Sequence, residues 1–340
     1  MDVRTALARL AERRDLDQEE ARQVFALVMS GEATPAQIGA LLMGFRVKGE
    51  TAEEIAGAAE TMRALSTRVD VDVPYLVDTC GTGGSGAKLF NVSTAAAFVA
   101  AAAGAHVAKH GNRKASSASG SADVLEAAGV NITLSPPQIA RCIREVGVGF
   151  LFAQAHHSAM KYAAPVRREV GVRTMMNLLG PLTNPAGARR QLIGVFSAQF
   201  QGMLARVLKL LDAEHVLVVH SNGLDEIALD DSTCVVELKG SAIEEYQISP
   251  EDFGITRRST ERLRAASPQA SLELVQQALS EPDSAASDIV SLNAGAAIYA
   301  AGVATSLANG VTMAQDAIAA GLARERLDEL VRITRLMGES

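Results

Sequence analysis

From residue 75 onward, the sequence alternates short apolar runs with longer stretches of helical character. Short apolar runs of this kind are typical of buried strands. Parallel strands need long connections, usually helices, and the stretches between the runs have that character. The sequence therefore predicts an α/β fold with a mainly parallel central sheet, whose strands occupy residues 75–77, 106–108, 148–152, 192–196 and 216–219.

Residues 1–72 carry no strand signal and have the pattern of amphipathic helices. Three capping-box pairs mark helix starts there: Asp17 with Glu20, Thr34 with Gln37, and Thr51 with Glu54. A helical patch at residues 156–179 interrupts the later alternation and is predicted to return to these helices. We expect a small discontinuous helical domain, residues 1–72 with a returning segment of about 156–185, and an α/β domain of residues 73–155 and 186–340, with further strands at 235–238 and 244–248.

The composition argues against several classes of function. A net charge of −7 and an aromatic content of 4% disfavour nucleic-acid binding, which needs a basic face with stacking platforms. The longest apolar stretch, residues 95–105, is too short for a membrane span, and the N-terminus has no apolar signal region, so we expect a cytoplasmic protein. Cys80, Cys142 and Cys234 form no C-x-x-C pair, which disfavours a disulfide framework and a zinc site.

A glycine-rich loop directly follows the first predicted strand. Residues 78–86 read D-T-C-G-T-G-G-S-G, and an alanine-rich helix follows, with Asn91, Ser93 and Thr94 at its start. Glycines allow positive φ angles and close ligand approach, so successive N–H groups can bind a phosphate together with the helix start. Such loops also occur for packing reasons, and the spacing is neither the dinucleotide-binding G-x-G-x-x-G nor a Walker loop.

A basic segment follows the second predicted strand. Residues 109–114 read K-H-G-N-R-K, with four potential cations in an otherwise acidic chain. At the carboxyl end of a parallel strand, such a cluster suggests a phosphate clamp, although a solvated basic turn has the same composition. Ser119 and Ser121 then lead into another helix and offer further donors to the same anion.

Two adjacent carboxylates, Asp225 and Glu226, follow the fifth predicted strand. Mg²⁺ usually binds through one or two carboxylates together with substrate phosphates, so this pair suits a magnesium site. Adjacent acidic residues are also common on ordinary surfaces. Ser93 is a further ligand candidate through its hydroxyl, although a helix-cap role explains it equally well.

These motifs resemble the anthranilate phosphoribosyltransferase family in order and spacing, over nearly the whole chain. The G-T-G-G and K-H-G-N-R motifs are shared in outline with pyrimidine nucleoside phosphorylases, whereas the R-R-E and N-L-L-G-P-L-T-N-P segments look specific to the transferases. The matching motifs are G-T-G-G-x-G…F-N-V-S-T at 81–94, K-H-G-N-R at 109–113, S-G-S-A-D at 119–123, R-R-E-x-G-x-R-T at 167–174, N-L-L-G-P-L-T-N-P at 177–185 and G-L-D-E at 223–226.

The resemblance implies Mg²⁺-dependent transfer of the 5-phosphoribosyl group from phosphoribosyl pyrophosphate to the anthranilate amine, a step of tryptophan biosynthesis. It also implies a homodimer through the helical domain and catalysis by electrostatics and positioning, without a covalent nucleophile. Anthranilate would contact Gly81, Asn112 and Arg167, and Mg²⁺ would be bound by Ser93, Asp225 and Glu226. The expected contacts to phosphoribosyl pyrophosphate are Gly81, Gly84, Ser85, Leu89, Asn91, Val92, Ser93, Thr94, Lys109, Asn112, Arg113, Ser117 and Ser121.

The sequence departs from the family pattern within the glycine loop. Ser85 stands where the family usually has Asp, and Leu89, with Lys88 before it, stands where a Thr commonly precedes the Phe. The departure at Ser85 leaves a non-catalytic homologue of the same fold as one alternative. The other is a nucleoside phosphorylase-like enzyme, which would bind inorganic phosphate in the same loop and need no metal. The possible proton acceptors His110, His156 and His157 can equally be structural or lining residues.

Overall fold

The computed structural model describes residues 1–113 and 119–338. Within these ranges the chain forms helices α1 to α14 and strands β1 to β7. The helices are Val3–Ala11, Gln18–Ser30, Pro35–Lys48, Ala52–Ala64, Val92–Ala102, Ser121–Ala128, Pro136–Val146, Ala153–His156, Met160–Val170, Gln201–Leu210, Pro268–Ser280, Ala285–Ala301, Leu307–Ala319 and Leu322–Gly338. The strands are Leu76–Val77, His106–Gly111, Val148–Phe152, Arg190–Gly194, His215–His220, Thr233–Lys239 and Ala242–Ile248.

Helices α2, α3 and α4 form as their capping boxes predict, since the structure contains the reciprocal pair at the start of each. These helices share a core with α9 and with the segment that follows it. Phe25 and Phe45 lie in that core, with ring centroids 5.9 Å apart. The returning helical patch thus packs against the N-terminal helices.

The strands follow the order β3-β2-β1-β4-β5-β6-β7. Parallel pairing joins β1 to β2, β2 to β3, and β4 to β5, while β6 and β7 form an antiparallel hairpin at one edge. A single parallel bridge between Asp78 and Gln191 joins the two groups of strands. The prediction of an α/β fold with a mainly parallel sheet is confirmed.

The observed strand bounds differ from the predicted ones, notably at β2 and β4. β2 continues to Gly111, so Lys109 and His110 lie in the strand, where they pair with Phe150 and Leu151 of β3. β4 begins at Arg190 and ends at Gly194 rather than covering residues 192–196. Strand bounds depend on which backbone groups find partners on the neighbouring strand, and side-chain polarity does not show this.

Alternate residues of β5 point into two different cores. Leu217 and Val219 pack in the core that contains α5 and α12, whereas Val216 and Val218 pack in the core shared with the N-terminal helices. Helices therefore cover both faces of the sheet, as parallel strands require. The carboxyl ends of the strands remain as the edge where side chains can meet a ligand.

No helix in residues 1–113 and 119–338 is long and apolar enough to cross a membrane.

Candidate functional site

The candidate site lies at the carboxyl ends of β1, β2, β4 and β5, beside the first turn of α5. The glycine loop follows β1, Lys109 lies near the end of β2, and the adjacent carboxylates follow β5. Three motifs that are far apart in sequence thus meet at one edge of the sheet.

The glycine loop is fixed at its start and has unusual backbone angles beyond that point. Thr82 donates its N–H to the Gly194 carbonyl at 2.9 Å, and a Cβ at Gly81 would lie 2.8 Å from the same oxygen. Gly83 and Gly84 follow with φ values of 64° and 84°. Consecutive glycines in this left-handed region can turn successive N–H groups into one concavity, where an anion can bind.

The first turn of α5 is not capped in the usual way. Asn91 is the N-cap residue, but its side chain is engaged elsewhere: it accepts from the Ser271 hydroxyl at 2.7 Å and donates to the Ser119 carbonyl at 3.3 Å. The buried Thr94 hydroxyl has no hydrogen-bond partner within the described part of the chain. The helix start can therefore direct N–H and O–H donors toward a ligand.

Lys109 provides a buried cation beneath the loop. It is 3% exposed, and its Nζ donates to the Thr79 carbonyl at 3.1 Å and lies 3.5 Å from the Ser93 hydroxyl. The ammonium group is thus held between the glycine loop and the start of α5. Within residues 1–113 and 119–338 the hydrogen-bond partners of this buried ammonium are neutral, which suits it to bind an anion.

Asp78 lies at the floor of the site and is fully buried. Its carboxylate accepts from the His110 N–H at 3.1 Å and from Asn184 Nδ2 at 2.7 Å. Burial raises the pKa of Asp78 to about 6, although the nearby charge of Lys109 opposes the rise. These bonds tie β1, β2 and residue 184 together and leave this carboxylate with a structural role.

Glu226 and Asp225 lie close to the start of α5. Burial together with the charge of Asp225 raises the pKa of Glu226 to about 8, although the nearby Ser93 backbone N–H opposes the rise. Two neighbouring carboxylates that repel each other in a half-buried position are stabilised by added positive charge, of which Lys109 supplies a part. Their oxygens and the Ser93 hydroxyl are the donor types that Mg²⁺ prefers, so these residues fit a magnesium ion.

Three buried histidines line the neighbouring wall. The rings of His110 and His157 lie 5.2 Å apart, and His110 Nδ1 lies 3.1 Å from the Gly180 carbonyl oxygen. Burial lowers the pKa of His110 to about 3 and that of His157 to about 4. His156 Nδ1 lies 2.6 Å from the Thr67 carbonyl oxygen, and burial lowers its pKa as well. These rings are neutral near pH 7, which removes His110 from the four cations expected in residues 109–114.

Arg113 is engaged by acidic side chains. Its guanidinium donates to Glu126 at 2.8 Å, lies 3.6 Å from Asp123, and stacks 5.5 Å from the Phe152 ring centroid. A phosphate would have to compete with these partners. Lys114 and Ser117, also expected near phosphate, lie outside the described residues.

Arg167 lies on α9, and its electrostatic environment differs from that of Arg113. It is half-buried, burial lowers its pKa, and no carboxylate in residues 1–113 and 119–338 is within ion-pair distance. A partly desolvated guanidinium without an internal counterion suits a carboxylate ligand. Asn112 is exposed after the end of β2, and its Oδ1 accepts from Gln154 Nε2 at 3.3 Å.

The remaining residues expected to contact phosphoribosyl pyrophosphate lie around the same edge. Ser85 is half-buried in the glycine loop, and Leu89 forms a bridge with Arg264. Val92 is the buried first residue of α5, and Ser121 is the first residue of α6, with its hydroxyl 3.5 Å from the Asn112 carbonyl.

Several residues of the site were not among the candidates from the sequence. Thr79 and Asn184 lie inside the motifs at residues 78–86 and 177–185, so both could have been selected as site candidates from their motifs. Arg173 lies inside the motif at residues 167–174 and contacts the glycine loop. Ser271, which binds Asn91 from 180 residues away, carries no sequence signal of its own.

Two family models match the chain. One is described as the glycosyl transferase family, a/b domain, and matches residues 73–324. The other is described as the glycosyl transferase family, helical bundle domain, and matches residues 4–66.

The chain is also similar to individual known proteins. The anthranilate phosphoribosyltransferase of Hahella chejuensis is 56% identical, with 100% of this chain and 99% of that protein covered. The crystal structure of the enzyme of that name from Thermus thermophilus superposes with a TM-score of 0.92 at 43% identity, over 97% of this chain and 99% of that one. The Saccharomyces cerevisiae enzyme in complex with phosphoribosyl pyrophosphate and Mg has the same fold, with a TM-score of 0.88 at 22% identity and 98% of each chain covered.

Proposed function

The chain belongs to the anthranilate phosphoribosyltransferase family, and from this premise we propose how its site performs the transfer. The enzyme moves the 5-phosphoribosyl group of phosphoribosyl pyrophosphate to the amine of anthranilate. The products are N-(5-phosphoribosyl)anthranilate and pyrophosphate, and the step belongs to tryptophan biosynthesis. The observation that carries the proposal is the meeting of the glycine loop, the buried Lys109 and the carboxylates of Asp225 and Glu226 at one sheet edge.

The glycine loop and the start of α5 are proposed to bind the diphosphate of phosphoribosyl pyrophosphate. The left-handed glycines, the helix N-terminus and the Lys109 ammonium support this role, because each offers donors or positive charge to an anion. The proposed contacts to phosphoribosyl pyrophosphate also include residues around the ribose and its 5-phosphate. Its members are Gly81, Gly84, Ser85, Leu89, Asn91, Val92, Ser93, Thr94, Lys109, Asn112, Arg113, Ser117 and Ser121.

Anthranilate is proposed to lie between the two halves of the molecule, against Gly81, Asn112 and Arg167. The half-buried guanidinium of Arg167 supports this placement, because a carboxylate ligand would compensate its charge. The neutral imidazoles of His110 and His157 would provide an uncharged wall for the aromatic ring.

Ser93, Asp225 and Glu226 would hold Mg²⁺. The repulsion between the two carboxylates supports this assignment. The yeast enzyme of the same fold, in complex with phosphoribosyl pyrophosphate and Mg, supports magnesium as the ion. When bound, the ion neutralises charge that develops on the leaving diphosphate.

Catalysis then depends on electrostatics and positioning. Loss of the diphosphate leaves positive charge on the ribose and negative charge on the leaving group, and the donors of the loop are fixed before the reaction begins. The anthranilate amine is neutral near pH 7 and can attack once Arg167 holds the ring in line. No covalent nucleophile is required, so we assign none.

A direct assay tests the function. Anthranilate is fluorescent, and its emission should disappear when the purified protein is supplied with phosphoribosyl pyrophosphate and Mg²⁺. The same protein should not release a free base from nucleosides with inorganic phosphate. Phosphorolysis without a metal would instead establish a nucleoside phosphorylase, and the absence of both activities would point to a non-catalytic homologue.

Replacing Arg167 should chiefly impair the use of anthranilate. Arg167→Ala removes the charge that pairs with the carboxylate, and we expect KM for anthranilate to rise at least about 10-fold. KM for phosphoribosyl pyrophosphate should change much less. Arg141→Ala is the matched control, because Arg141 forms an exposed pair with Glu145 on α7. An unchanged KM for anthranilate would exclude this role of Arg167.

Removing both carboxylates should abolish metal-dependent turnover. In Asp225→Ala combined with Glu226→Ala, no side-chain carboxylate of the pair is left to bind Mg²⁺. Activity measured across a Mg²⁺ titration is expected to stay near background. A double variant with normal activity would rule out the metal assignment.

We also propose the domain division and the assembly state. The division is a helical domain of residues 1–72 with about 156–185, and an α/β domain of residues 73–155 and 186–340, supported by the shared core of α1 to α4 and α9.

A homodimer through the helical domain is supported by Met43 and Val47, which are 36% and 62% exposed one turn apart on α3. The free thiols of Cys80, Cys142 and Cys234 support work in the reducing cytoplasm.

A further inference from the structure

Arg173 connects the returning helical segment to the glycine loop. It lies three residues beyond the end of α9, after Gly171 has turned the chain with a φ of 68°. Its Nη2 donates to the Gly84 carbonyl at 2.6 Å, and its guanidinium carbon lies 4.1 Å from the centroid of the Phe196 ring. One side chain therefore contacts both the loop and the segment that follows β4.

The contact with Gly84 fixes a part of the loop that glycine leaves free. The loop is fixed to β4 at Thr82, but Gly83 and Gly84 then follow in the left-handed region and have no side chains to restrict them. In a trans peptide the C=O and the next N–H point in opposite directions. Holding the Gly84 carbonyl toward Arg173 therefore directs the Ser85 N–H to the opposite side of the loop.

We propose that Arg173 is a positioning residue for phosphoribosyl pyrophosphate, which presents the Ser85 N–H to the diphosphate by holding the Gly84 carbonyl. This inference rests on the proposed function, because it requires a diphosphate at the loop. Phe196 strengthens the argument: the guanidinium lies over its ring, and this contact restricts the directions in which the donor can point. Arg173 itself need not touch the substrate.

The test is a comparison of kinetics for the two substrates. Arg173→Ala should lower kcat/KM for phosphoribosyl pyrophosphate about 10-fold, because a charge-assisted hydrogen bond is lost, while KM for anthranilate stays within about 2-fold. Calorimetry should show that pyrophosphate with Mg²⁺ binds about 10-fold more weakly. Arg173→Lys should recover part of the loss, since an ammonium can donate to the carbonyl but cannot stack flat on Phe196.

Controls separate a positioning role from general loosening of the fold. Arg141→Ala should keep the kinetics of the wild type, and the melting temperature of Arg173→Ala should stay within about 2 °C of it. If the alanine variant does not fold, Arg173→Lys carries the test: a selective loss with phosphoribosyl pyrophosphate supports the proposal, and wild-type kinetics overturn it.

Two failures have different meanings. A wild-type protein that does not consume anthranilate overturns the proposed function. An active wild type whose Arg173→Ala variant uses phosphoribosyl pyrophosphate normally, or loses both substrates equally, overturns the positioning role alone.

Discussion

A single buried carboxylate, Glu237, shows how one residue can join several elements. Its oxygens lie 2.7 Å from His215 Nε2 and accept from the hydroxyls of Tyr246 at 2.7 Å and Tyr299 at 2.9 Å. Burial favours the neutral acid, but these hydrogen bonds outweigh it and lower the pKa of Glu237 to about 2. The contacts join β5, β6, β7 and α12.

Glu237→Gln should destabilise the fold in a pH-dependent way. The amide cannot accept every bond that the carboxylate accepts, so we expect a loss of about 1–3 kcal/mol in the free energy of unfolding near neutral pH. The folded-state pKa lies below the usual value of 4.5, so the stability that Glu237 contributes is complete above 4.5 and is lost toward about 2. Urea unfolding should therefore show the difference between the wild type and Glu237→Gln shrinking as the pH falls.

The exposed Glu273 of α11 gives the matched control. Glu273→Gln should change the free energy of unfolding by less than about 0.5 kcal/mol at each pH. A constant difference for Glu237→Gln across the acid range would contradict the role given to the carboxylate.

Among the elements, β4 and the segment that carries Asp225 and Glu226 touch backbone to backbone. A Cβ at Gly194, the last residue of β4, would lie 1.6 Å from the Asp225 carbonyl oxygen. No side-chain rotation relieves such an overlap. The close approach explains why glycine stands at this position and how β4 sets the place of Asp225.

Gly194→Ala should therefore displace Asp225 and Glu226. We expect Mg²⁺-dependent turnover to fall at least about 10-fold, with a loss of stability of about 1–3 kcal/mol in urea unfolding. Gly202→Ala is the control: a Cβ there, in α10, would meet Arg206 Nη1 at 3.6 Å, an ordinary contact. Because alanine favours helices, Gly202→Ala should be neutral or stabilising by up to about 1 kcal/mol. If Gly194→Ala keeps wild-type turnover, the close approach of β4 to the Asp225 segment is not required for activity.

The sequence predicted the elements well because local patterns specify them. Capping pairs such as Thr34 with Gln37 act within one helical turn, and the glycines at 81–86 carry their own backbone preferences. The sequence did not predict that β2 extends to Gly111, since that depends on pairing with β3. It also did not predict the Arg113 ion pair with Glu126 or the Ser271 contact to Asn91, because partners distant in sequence leave no local pattern.

For the molecule as a whole, the exposed apolar residues of the helical domain bear on the assembly state. Val47→Glu places a charge in the surface that we propose for the dimer, and desolvating that charge opposes association. Sedimentation at micromolar concentrations should show a shift from dimer to monomer, with the helical circular dichroism unchanged. Leu336→Glu on α14 is the control, because Leu336 is comparably exposed but lies outside the helical domain. Equal sedimentation of the wild type and Val47→Glu would place the interface elsewhere.

The sheet is continuous across its middle through one bridge, Asp78 to Gln191, and the strand that carries Asp78 is only two residues long. A sugar diphosphate bound above this junction of the two strand groups would contact chain segments on both sides of it. Thermal unfolding that separates the two strand groups would then also release the bound ligand. The melting temperature of the protein should therefore rise with the concentration of that ligand.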